Sequence, residues 1–189
     1  GRERDCPRGL GDSGSGTMDA VKLFSRKGKV PDALAATVSQ HVGGAARILA
    51  WAATSDGYLV ALPDRMLVAG GEGECEEVGW HDILHGGYTD QGNLRWERMS
   101  TGEVSEEHLT DPQSFPEAFR ERVESTFLLQ QVVTPFPGRH VTITARRNLM
   151  DPQQRVMWTA HPARGTRMDD ETLAFAETEL ARLRAEYAF

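Results

Sequence analysis

Between Arg47 and Thr110 the chain divides into seven short runs of apolar and β-branched residues, with turn residues recurring every eight to twelve positions. The runs are RILAWAAT (47–54), GYLVAL (57–62), RMLVAG (65–70), CEEVGW (75–80), DILHGGYTD (82–90), NLRWERM (93–99) and GEVSEEHLT (102–110). Between them stand Asp56-Gly57, Pro63-Asp64, Gly70-Gly71-Glu72-Gly73, Asp90-Gln91-Gly92-Asn93 and Thr101-Gly102, residues that supply the backbone angles of tight turns. The pattern predicts seven short antiparallel strands. Trp51, Trp80, Trp96 and Trp158 fall one to a strand and read as core or packing residues.

A helix is announced directly after the strands. Ser114-Phe115-Pro116-Glu117 has the residues of a capping box, and Phe115, Phe119, Val123 and Phe127 follow at steps of four, which predicts an amphipathic helix over 115–129. Such a stripe is suited to covering an opening in a sheet. Upstream, Pro31 and Asp32 open a short helix with Leu34, Val38 and Val42 on one face, ended by Gly43-Gly44. Downstream, Pro135-Phe136-Pro137-Gly138 leads into two more strand-like runs, RHVTITARR (139–147) and RVMWTAH (155–161), and then a last helix opened by Asp169 and Asp170, with Leu173, Ala176, Leu180, Leu183 and Tyr187 on one face. The organisation expected is a tail or leader at 1–17, a lead-in with a short helix at 18–44, a barrel with its capping helix at 45–130, and a β-hairpin plus helix at 131–189 that packs on the barrel.

Seven strands followed by one capped helix is the element order of a pleckstrin-homology-like (PH-like) barrel. The phrase WAATSDGYLVALPDRMLVAGG (51–71), followed by EVGWHDI (77–83), resembles the bacterial PH-like and GRAM-like group and a set of proteins from high-GC Gram-positive bacteria. The resemblance covers residues 45–130. It implies a seven-stranded antiparallel PH-like β-barrel of two bent sheets capped by a C-terminal helix; with the β-hairpin plus helix extension, which lies outside the resemblance, the expected class is α+β. It also implies a scaffold that binds lipids, peptides or proteins and brings no catalytic residues. Phosphoinositide-binding members carry a basic loop between the first two strands, whereas Ala53-Thr54-Ser55-Asp56-Gly57 has no Lys or Arg.

Charge narrows the partners. The net charge is −7, and residues 71–130 hold 14 acidic against 4 basic side chains. A block of that sign repels phosphate backbones, which argues against nucleic acid. No run of apolar residues is long enough to span a membrane, and the first twenty residues lack the apolar stretch of a secretory signal, so the expected compartment is the cytoplasm. Cys6 and Cys75 have no CxxC or His/Cys neighbours and read as free thiols.

No constellation demands a chemistry. His81-Asp82-Ile83-Leu84-His85 has two His four apart, yet on an extended strand they stand about 13 Å apart, too far to share a metal. Gly11-Asp12-Ser13-Gly14 lacks the barrel and the upstream His and Asp that a serine nucleophile needs, and the Gly70–Gly73 loop lacks the Lys and Ser/Thr of a phosphate loop. No cofactor and no metal are expected. The best polar patch lies on the run 139–147, where alternation puts His140, Thr142, Thr144 and Arg146 on one face; Arg155 and His161 can join it, with Arg164 and Arg167 in the loop beyond. These six charged residues, His140, Arg146, Arg155, His161, Arg164 and Arg167, form the expected anion or partner surface. The resulting reading is a non-enzymatic binding or scaffold protein whose partner is another protein. Two alternatives stay open: an enzyme assembled from His81, Asp82, His140 and Arg146, and peripheral membrane contact through residues 21–29, where Val21, Leu23 and Phe24 accompany Lys22, Arg26, Lys27 and Lys29.

Overall fold

The computed structural model describes residues 28–189. The expected tail at 1–17, its Gly-Asp-Ser-Gly string, Cys6 and nearly all of the 21–29 segment lie outside the described residues.

The seven strands form where the turn residues place them: β1 (Ala50–Thr54), β2 (Gly57–Ala61), β3 (Arg65–Gly70), β4 (Cys75–Gly79), β5 (Ile83–Tyr88), β6 (Asn93–Arg98) and β7 (Val104–Asp111). They pair antiparallel in the order β4-β3-β2-β1-β7-β6-β5 and curl into a half-barrel of α+β class. The two bent halves are wings of one continuous sheet, joined where β1 pairs β7 across a bulge between Ala53 and Thr54. Bulges sharpen twist, which is what folds one wing toward the other.

Alternation explains how the first wing is buried on both sides. Leu59, Ala61 and Met66 point into the barrel, while Val60, Leu67 and Ala69 point out. Inside, α2 (Phe115–Glu124) seats Phe115 and Phe119 on the core, and Phe119 meets the Trp80 ring edge-on at 5.9 Å. Burying each phenyl is worth about 3 kcal/mol. Gly86 makes the seat possible, because a Cβ there would stand 2.7 Å from the Phe119 ring. Outside, α1 (Asp32–Val42) lays Leu34 and Val38 on Val60, Leu62 and Leu67. It stops at Gly43, whose φ of 75° is left-handed and costs glycine little.

Three expectations need correction. The helix after the strands ends at Glu124, not 129: Thr126 turns back on it through its hydroxyl, which donates to the Val123 carbonyl at 2.7 Å, and Phe127 begins a strand. That strand, β8 (Phe127–Phe136), pairs β9 (Arg139–Arg147), which pairs β10 (Val156–Pro162). The extension is therefore a three-stranded sheet, not a hairpin. Its β-branched run, with Val132 and Val133, suits a pleated surface better than a helix. Second, the Ser114 side chain makes no cap hydrogen bond. Third, Trp80, His81 and Asp82 form a 3-10 turn rather than strand. The Asp82 carboxylate pins it by accepting from the backbone N–H (2.8 Å) and hydroxyl (2.7 Å) of Ser100.

The last helix, α3 (Asp170–Glu186), covers one face of the three-stranded sheet, with Ala176 and Leu183 on Val133, Val141 and Ile143. Asp169 caps it by accepting from Thr172 N at 2.9 Å, and Arg139 of β9 ties the same end through Asp169 (2.7 Å) and the Thr172 hydroxyl (2.9 Å). The buried stripe is rotated from the expected one: Thr172 is buried, while Leu173 and Tyr187 are exposed. Among the described residues no helix is long and apolar enough to cross a membrane.

Candidate functional site

The polar face of β9 forms as alternation dictates, but only its first residue, His140, is exposed to water. Thr144 and Arg146 are buried, and the cross-strand register sets Thr159 and His161 of β10 on the same face. Thr144 and Thr159 share a hydrogen bond at 2.8 Å, and the Thr159 hydroxyl lies 3.5 Å from the sulfur of Met99 at the end of β6. This face is the joint between the small sheet and the outer side of the β5–β6–β7 wing.

Arg146 is its centre and is 1 % exposed. Its guanidinium donates to the Thr126 hydroxyl from Nε (2.9 Å) and Nη2 (2.7 Å), to the Trp80 carbonyl at 2.7 Å and to the Ile83 carbonyl, and it lies over the Phe127 ring at 4.3 Å. No carboxylate among the described residues forms an ion pair with it. Burial pulls its pKa down to about 10, with Asp82 opposing, so it stays charged at neutral pH. A planar fork of five donors answers several acceptors at once, which an ammonium cannot do. The expected place of Arg146 in an accessible partner surface is therefore corrected. It is a structural tie between segments more than sixty residues apart in sequence.

The other expected residues separate. His161 and Arg164 line a groove of about 990 Å³ between the end of β10 and the outer face of the β5–β6–β7 wing. His140, Arg155 and Arg167 do not line it. The His140 ring Nδ1 pairs with the Thr134 hydroxyl at 2.9 Å, and the His140 backbone N–H donates to Thr166 Oγ1 at 3.1 Å. Arg155 is exposed and engaged by Asp151, and Arg167 is exposed in the loop before α3. The four residues of the enzyme alternative do not assemble either. His81, Asp82 and Arg146 are neighbours, but His140 sits six residues along β9 from Arg146, about 20 Å away on an extended strand. Among the described residues no three His, Cys, Asp or Glu side chains are grouped to hold a metal ion.

The groove's floor comes from residues the sequence reading did not gather. His85 and Glu97 are a cross-strand pair, as are Gly87 and Arg95, so all four positions share the outer face of the wing. Val104, 47 % exposed, pairs with Glu97 on the same face, while Tyr88, 42 % exposed, pairs with the core residue Leu94 and lines the groove from its rim. The His161 Nε2 atom is buried without a hydrogen-bond partner; the Nε1 of Trp96 is buried and unpartnered too, but its ring belongs to the barrel core on the other face of β6. Burial holds the His161 pKa below its ordinary value of 6.5; His85 and Arg146 push the same way and Glu97 opposes. The imidazole is neutral at pH 7 and keeps a free site in a low-dielectric wall. A legible signal existed in the polar alternation of Asn93, Arg95 and Glu97, but not the strand that covers part of it.

A second cleft, of about 440 Å³, lies beside α2, where Arg47 and Arg122 face Glu117 and Glu121. Its opposed charges leave no net preference. Comparison with family models, curated proteins and solved structures finds no match to this chain.

Proposed function

We propose that the chain is a non-enzymatic binding module of the cytoplasm, built on a PH-like half-barrel, and that another protein docks in the groove between β10 and the β5–β6–β7 wing. The observation that carries the reading is the groove itself: a concave site lined by the exposed side chains of Tyr88 and Val104 and by two exposed guanidiniums, Arg95 and Arg164, that form no ion pair among the described residues. The curled seven-stranded sheet with a helix on its core supports the scaffold half of the reading.

The test is site-specific crosslinking. A photoreactive amino acid is placed at Tyr88, in the groove, and in a second protein at Val132, an exposed apolar residue of β8 outside it. In a lysate of the source organism the reading expects a protein adduct from position 88 that excess unlabelled chain displaces, and none from position 132. Equal labelling from both positions, or none from either, overturns it.

A further inference from the structure

We propose that the groove selects an extended acidic segment of the partner, with carboxylates over Arg95 and Arg164 and apolar side chains over Tyr88 and Val104. This inference rests on the reading of the groove as a docking site and adds the chemistry of the occupant.

Charge is the first argument. The middle of the chain is strongly acidic, yet the groove it contributes to reverses that sign: three guanidiniums, Arg95, Arg98 and Arg164, line it against a single carboxylate, Glu97. Arg98 is already engaged, donating to Glu76 and to the Glu77 carbonyl. Arg95 and Arg164 are exposed, and among the described residues neither forms an ion pair or a side-chain hydrogen bond. Glu106 stands directly across from Arg95 in the β6–β7 register, but it is held by the Asn93 amide at 2.6 Å. Two free guanidiniums on opposite sides of one groove, one on its floor and one on its wall, are matched by carboxylates spaced along a ligand.

Size and apolarity are the second argument. A volume of about 990 Å³ is far more than a lone anion needs, and Tyr88 and Val104 are two of the six large apolar residues the described chain leaves exposed. Arg95 and Val104 lie on neighbouring strands of one face with Tyr88 at its rim, so one extended peptide carrying both acidic and apolar side chains can reach all three.

The probe is a short fluorescent peptide of alternating glutamate and leucine, titrated into the full chain by anisotropy and, with isotope-labelled protein, by amide chemical shifts. The expected result is saturable binding weakened by salt, with shifts at Gly86, Gly87, Tyr88, Arg95 and His161. An Arg95→Glu, Arg164→Glu double variant, whose retained amide dispersion shows that it folds, should bind about ten-fold more weakly or worse. A matching lysine–leucine peptide should not bind. The proposal is overturned if that peptide binds as well, if the double variant binds unchanged, or if phosphatidylserine vesicles, not the acidic peptide, perturb the groove. Should the acidic peptide fail while position 88 still gives a displaceable protein adduct, the acidic preference falls and the docking site stands. Failure of both removes both.

Discussion

The outer faces of the two wings are covered by opposite chemistries. Over β2 and β3, α1 sets Leu34 and Val38 on Val60, Leu62 and Leu67, an apolar seam whose strength depends on area and fit. Over β5 and β6, the small sheet sets Thr159 and His161 beside His85, Glu97 and Met99, with Arg146 donating to the Trp80 and Ile83 carbonyls at its edge. The first seam closes. The second is held by directional bonds at one end and stands open as a groove at the other. A polar joint therefore supplies both attachment and an accessible concave surface, which a close-packed apolar one does not.

The comparison can be broken by substitution. Arg146→Met should have the largest effect, about 4 kcal/mol in urea unfolding, because it strands the Trp80 and Ile83 carbonyls in a buried site. Leu34→Ala should cost about 3 kcal/mol through the cavity it leaves under α1. Thr126→Val, nearly isosteric, should cost about 2 kcal/mol by removing the hydroxyl that accepts from Arg146, and its effect should be markedly non-additive with Arg146→Met while adding simply to Leu34→Ala. Additivity of Thr126→Val with Arg146→Met would mean that the joint does not act as a unit.

Acid should separate the seams more gently. His161 and His81 are both held below the ordinary histidine pKa of 6.5, burial being the main cause in each. On acidification the unfolded chain takes up these protons first. The stability carried by the neutral rings is complete above the unfolded value and is lost as pH falls from about 6.5 through the native values. The groups acting on His161 are His85, Glu97 and Arg146. His161→Gln should flatten part of the fall in urea midpoint between about pH 7.5 and about 5.5. An unchanged slope would show that His161 does not report the joint.

The half-barrel was legible because its strands are short, alternate with period two and are punctuated by Gly, Asp and Pro. β8 was not, because Phe127 continues the four-residue step of Phe115, Phe119 and Val123, and helical spacing alone does not reveal that Thr126 ends the turn. Arg146 was assigned to the correct face of its strand. That the face is covered depends on acceptors at Trp80 and Ile83, a contact no local pattern encodes. The groove was half legible for the same reason: His161 and Arg164 are local to one segment, while His85, Arg95 and Tyr88 arrive from another.

Arg146 locks the small sheet to the β5–β6–β7 wing. Native-state amide hydrogen exchange of Arg146→Met beside Leu34→Ala tests it most directly. Arg146→Met should release protection in β5, β8, β9 and β10 while β2 and β3 stay protected, and Leu34→Ala should do the reverse. Equal loss across both wings from Arg146→Met, or none in β8–β10, would contradict it.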